Sequence, residues 1–186
     1  MACRKINYRY DQEGYIIKYI DWDDAFFSGV KFPLPEESSS QILQNIFKEI
    51  NLNKISQQAI IQQYNEIYIW NEANREQKEL LAPQVKIRYS LCDLPEIYYP
   101  KFIPLVQESK VWSLNESDLK IFLGTRLQLF GINFCEYQKF IKNVINLCED
   151  FNLREDDIIL NPSNIGYHSV LGLRVIDYGL IEDRGV

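Results

Sequence analysis

The spacing of apolar residues changes in blocks along this chain, and that segregation constrains the fold more than any other feature. Residues 4–20 alternate around a turn. Arg4 to Tyr10 reads as a strand, Asp11-Gln12-Glu13-Gly14 as the turn and Tyr15 to Ile20 as a second strand. Gly14 supplies the positive φ that a short hairpin loop needs. A helical period then takes over. Ser40 is placed to cap a helix over 41–50, with Ile42, Leu43, Ile46, Phe47 and Ile50 on one face. A longer helix is predicted from Ser56 to about Leu80, with a stripe of Ile60, Ile61, Tyr64, Ile67 and Trp70, and Pro83 ends it. Gln84 to Tyr89 and Phe102 to Val106 read as strands, joined by a loop holding Pro95 and Pro100. Ser117 is placed to cap a helix to about Phe130, and Asn133 another over 134–151. The second buries Tyr137, Phe140, Ile141, Val144, Ile145 and Cys148. Short strands follow at 158–160, 165–167 and 173–176. Strands, helices, strands, helices and short strands, in that order, predict an α+β fold rather than alternating α/β.

The 186 residues suit a single domain. A chain of this length buries roughly 70% of its unfolded surface, so it folds without staples. With 46% hydrophobic and 25% charged residues, it has the composition of a soluble globular protein. No apolar run approaches the roughly 18 residues of a membrane span. Asp and Glu outnumber Lys and Arg by 26 to 20, a net charge of −6, so no direct nucleic-acid binding is expected. The N-terminal charges are not followed by an apolar core of about 7–15 residues, so no secretory signal is expected. Ala2 excludes myristoylation, and the terminal DRGV is no prenylation box. Cys3, Cys92, Cys135 and Cys148 form no C-x-x-C pair, and His168 is the one histidine. They read as reduced cysteines of a cytoplasmic protein, not as a zinc site. The 24 Ile against five Ala and eight Val, with abundant Asn and Lys, point to AT-rich codons and a low-GC bacterium or its phage.

Residues 157–180 read DIILNPSNIGYHSVLGLRVIDYGL and carry the chemistry. Asn164, at the end of Leu160-Asn161-Pro162-Ser163-Asn164, and Asp177, in Asp177-Tyr178-Gly179, stand 13 residues apart around a predicted hairpin. An amide carbonyl and a carboxylate are hard oxygen ligands of the kind magnesium takes. The pair resembles the protein kinase-like fold, whose catalytic loop ends in L-K-P-x-N and is followed by two strands and D-F-G. The resemblance implies a reduced kinase-like fold, with a small N-terminal antiparallel sheet and a truncated helical C-lobe. Residues 1–108 form the N-lobe-like part and 109–186 the C-lobe-like part. It implies Asn164 and Asp177 as metal ligands. Lys18, in Tyr15-Ile16-Ile17-Lys18, is similar to the strand lysine, and Glu66 to the helix glutamate that pairs with it; both would serve cofactor binding. Phe102 to Val106 becomes the strand before the hinge, and Gln107-Glu108-Ser109 the hinge. The cofactors implied, if the site is retained, are ATP and magnesium.

Three features depart from the pattern. The position five residues before Asn164, where kinases keep the catalytic Asp, is Ile159, and a hydrocarbon accepts no proton. Asp156 and Asp157 stand further upstream, and a bulge is needed to bring either nearer. No Gly-rich loop precedes Lys18, and the chain ends seven residues after Gly179, with no room expected for an activation segment. The leading expectation is therefore a non-catalytic, pseudokinase-type protein with no catalytic residue. It would bind a protein partner in the cytoplasm as a phage or mobile-element accessory or anti-defence factor, in the host cytoplasm if phage-encoded. The alternative is an atypical metal–nucleotide-binding phosphotransferase, and a third reading is a plain α+β protein with a coincidental hairpin. Elsewhere, Asp21, Asp23 and Asp24 lack the Gly and distal Glu of a calcium loop and read as a solvated acidic loop. His168 reads as an exposed turn residue. Tyr98, Tyr99 and Trp112 read as core residues or as interface anchors.

Overall fold

A computed structural model describes residues 6–20 and 29–179. Cys3, the Arg4 and Lys5 that head the first expected strand, and the acidic run Asp21 to Asp24 lie outside the described residues. The chain is α+β and divides into two compact units, 1–72 with 83–100, and 73–82 with 101–186.

The first unit is built on a four-stranded antiparallel sheet of β1 (Ile6–Tyr10), β2 (Ile16–Ile20), β3 (Lys86–Tyr89) and β4 (Pro95–Tyr99), in the order β1-β2-β4-β3. Gly14, at φ +86°, makes the β1–β2 turn, and Asp11 Oδ1 accepts from the Glu13 and Tyr15 amides. The expected loop around Pro95 is in fact β4, a central strand. Its proline is tolerated because it stands at the first position, where the missing N–H interrupts no ladder. Tyr98 and Tyr99 are therefore core residues. Helix α1 (Ser40–Glu49) is capped by Ser39, not Ser40: the Ser39 hydroxyl accepts from the Ile42 amide. Helix α2 (Lys54–Glu72) is capped by Asn53 and stops well short of Leu80. Ile20, Phe32, Leu43, Phe47, Leu52, Ala59, Ile60, Tyr64 and Leu94 form the core of this unit.

The second unit begins with α3 (Arg75–Lys78). Asn74 and Gln77 form a capping box there, which splits the long helix expected from sequence. Three strands, β5 (Ile103–Pro104), β6 (Ile165–His168) and β7 (Gly172–Val175), make an antiparallel sheet in that order. Only two residues of the expected 102–106 strand pair, and they pair with β6. The expected hinge 107–109 instead opens α4 (Glu108–Val111), at whose end Trp112 is 76% exposed. Helix α5 (Glu116–Leu129) is capped by Asn115 rather than Ser117, and α6 (Phe134–Phe151) by Asn133 with a Glu136 capping box. The expected strand 158–160 is a helical turn, α7 (Glu155–Ile159). Leu105, Val106, Leu127, Tyr137 and Ile165 form the core between α5, α6 and β6. Among the described residues no helix is long and apolar enough to cross a membrane.

The buried tyrosines make the fold sensitive to alkali. Burial pushes the Tyr137 phenol up from 10.0 to about 12, and the Tyr64 phenol, whose hydroxyl donates to the Pro33 carbonyl, also rises. Unfolded tyrosine ionises near pH 10 while the folded residue holds its proton. Stability is therefore full below pH 10 and falls as pH rises toward 12, for Tyr137 by on the order of 2–3 kcal/mol. Urea unfolding at pH 8 and pH 11 should show a smaller loss for Tyr137→Phe than for the wild type.

Candidate functional site

In the first unit, alternation along β2 puts Lys18 on the same sheet face as Ile16 and Ile20, between Tyr8 of β1 and Ile97 of β4. Glu66 stands on the buried side of α2, one turn beyond Gln63. The Lys18 ammonium and a Glu66 carboxylate oxygen are 2.5 Å apart, and neither side chain has any exposed surface. Tyr99, opposite Ile16 in the register, donates its hydroxyl to the other Glu66 oxygen at 2.9 Å. The Gln84 side chain donates to the Glu66 main-chain carbonyl at 2.9 Å, and that of Gln63 to the Lys18 carbonyl at 3.3 Å. Desolvating two charges costs several kcal/mol each, and only close geometry with further hydrogen bonds offsets it. The structure thus joins Lys18 and Glu66 in one buried ion pair. Tyr99 and Gln63 were missed, because their roles depend on strand register and helix phase, not on any local motif.

In the second unit, Pro162–Asn164 is a single 3-10 turn, with the Asn161 side chain accepting from the Ser163 amide and hydroxyl. Asn164 leads into β6. The ladder of β6 and β7 continues one step further: the Ile176 amide donates to the Asn164 carbonyl at 2.8 Å. The hairpin therefore brings Asp177 back to the start of its own first strand, beside the Asn164 main chain. Gly166 is required there, since a Cβ would lie 2.8 Å from Phe102 Cβ and 3.0 Å from Ile176 Cγ2. Tyr178 is 1% exposed, and its hydroxyl donates to the Ala82 carbonyl. His168, expected as exposed, is half-buried; its Nδ1 accepts from the Val170 and Leu171 amides and its ring tilts on Phe102.

The helical turn α7 changes the reading of the residues upstream. Ile159, expected as a strand-end core residue, is only half-buried; Ile158 is the buried neighbour, and Leu160 is 72% exposed. Winding 155–159 into a turn shortens the path and delivers Asp157 to Asn164. The Asn164 amide nitrogen donates to the Asp157 carbonyl at 2.8 Å and lies 3.5 Å from its carboxylate. That contact commits the amide nitrogen, so the Asn164 atom able to ligate a cation is its Oδ1. Asp156 instead pairs with Arg154 at the surface.

Among the described residues no group of three or more His, Cys, Asp and Glu side chains is gathered to hold a metal unaided. Magnesium does not demand one, because it commonly takes one or two protein oxygens together with substrate phosphates and water. Asn164 and Asp177 match that donor chemistry. Cys148 is excluded from such chemistry: burial, then Glu155 and Glu149, push its thiol up to about 12, so it stays protonated. Comparisons with protein-family models, with curated proteins and with solved structures found no match to this chain.

Proposed function

We propose that this chain is a kinase-like protein that binds a magnesium–nucleotide: in the kinase pattern it resembles, Lys18 and Glu66 of the first unit take the roles of the cation and its orienting partner, and Asn164 and Asp177 of the second unit those of metal ligands. The buried Lys18–Glu66 pair carries the reading. Apolar side chains of similar volume would fill the same space at equal or lower cost. A charge pair kept in the core therefore suits a role beyond stability. The β6–β7 hairpin supports the second pair of assignments, because it returns Asp177 to Asn164. Asp157, held by Asn164, is the carboxylate we assign as base, seven residues upstream where the kinase pattern has five. Transfer of a phosphoryl group asks the protein mainly for positioning and charge.

A second reading, a non-catalytic protein that binds a protein partner, is favoured by the Ile159 substitution and by the complete burial of Lys18. Calorimetric titration of Mg·ATP into the wild type and Asp177→Ala separates the two. The proposal expects saturable heat with the wild type, weakened at least tenfold in the variant, a factor of about 1.4 kcal/mol. No heat in either would leave the protein-binding reading.

A further inference from the structure

We propose that Gln63 is a positioning residue for Lys18: its amide fastens the Lys18 main chain to α2, so one turn of that helix holds the lysine at both its backbone and its ammonium. The inference rests on the magnesium–nucleotide reading. The side-chain nitrogen of Gln63 donates to the Lys18 carbonyl at 3.3 Å, while Glu66, three residues later, takes the ammonium. The sheet already holds the Lys18 main chain between β1 and β4, and the ion pair holds its tip; the Gln63 bond adds a direct tie from that main chain to α2. With that tie in place, α2 cannot shift along β2 without breaking both contacts. Tyr99 and Gln84, which hold the Glu66 carboxylate and main chain, fasten the same turn from outside.

Stability alone does not account for a glutamine at this place. Gln63 has no exposed surface, and its Oε1 has no hydrogen-bond partner among the described residues. A buried amide that leaves its carbonyl unmet forfeits the hydration of that oxygen, while its one hydrogen bond here is long. Methionine would occupy similar volume with no polar atom to desolvate. The position keeps a side chain that donates to the Lys18 carbonyl, and tolerates the orphaned oxygen that comes with it.

The test is Gln63→Met in the full chain, read three ways: thermal melting, the side-chain ammonium resonance of Lys18 by nitrogen-15 NMR, and Mg·ATP titration. The Lys18 resonance is assigned by its absence from the Lys18→Met/Glu66→Leu variant. The expected result is a melting temperature within about 2 °C of the wild type, loss of the Lys18 resonance to solvent exchange, and Mg·ATP binding weakened by on the order of tenfold. A melting temperature lower by about 5 °C or more assigns Gln63 to the core and overturns the proposal. So does an unchanged Lys18 resonance. If the wild type binds no Mg·ATP, the nucleotide reading fails, but the Lys18 resonance still decides whether Gln63 fastens the lysine.

Discussion

Replacing Lys18 by Met should destabilise the first unit by about 3–5 kcal/mol, because it removes the cation paired with a fully buried Glu66 carboxylate. Glu66 has no exposed surface through which to recover water, and a hydrogen bond such as that from the Tyr99 hydroxyl does not neutralise a charge. Glu66→Leu should cost a similar amount by removing the carboxylate paired with the buried ammonium. The double variant, Lys18→Met with Glu66→Leu, removes both charges and should return close to wild-type stability. It still loses the hydrogen bond between Tyr99 and Glu66, worth roughly 1 kcal/mol. Urea unfolding of the wild type, both single variants and the double gives the coupling energy directly. Strict additivity, with the double variant losing the sum of the two single costs, would mean that the pair is not the close, dry contact described here.

Gly166→Ala should cost about 1–3 kcal/mol by overpacking, toward the upper end. The new methyl would meet Phe102 Cβ at 2.8 Å, an atom fixed to the backbone that cannot rotate aside, and Ile176 Cγ2 at 3.0 Å. The strand must move to accept it. Gly166 pairs with Arg174 inside the β6–β7 ladder and stands two residues after Asn164, while Ile176 immediately precedes Asp177. The same displacement that lowers stability should therefore separate the two proposed metal ligands. Thermal melting checks the first effect and Mg·ATP titration the second. A variant that melts like the wild type would mean that the hairpin adapts freely at Gly166.

The parts of this fold legible in the sequence are those set by local rules. Asn133 and Glu136 announce the start of α6 through side chains three residues apart, and Gly14 marks the turn that joins β1 to β2. Helix starts near Ser40 and Ser117 were misplaced by one or two residues, because several side chains able to cap stand in a row and packing decides among them. Strand β4 was hidden by its own ends: Pro95 and Pro100 punctuate a run that reads as a loop until its neighbours β2 and β3 are in place. Helix α7 was misread because Ile158-Ile159-Leu160 is a short apolar run, which periodicity alone cannot assign to strand or helix. That misreading hid Asp157, whose approach to Asn164 depends on the helical turn. Lys18 and Glu66 were found through resemblance, since 48 residues separate them and nothing local links them.

The most direct test of the account is Mg·ATP titration into the Lys18→Met/Glu66→Leu variant beside the wild type, after unfolding has shown both to be equally folded. If the buried pair is kept for binding rather than for stability, the wild type binds and the double variant binds at least tenfold more weakly, about 1.4 kcal/mol. Equal affinity in the two proteins, or no binding by the wild type, would contradict it.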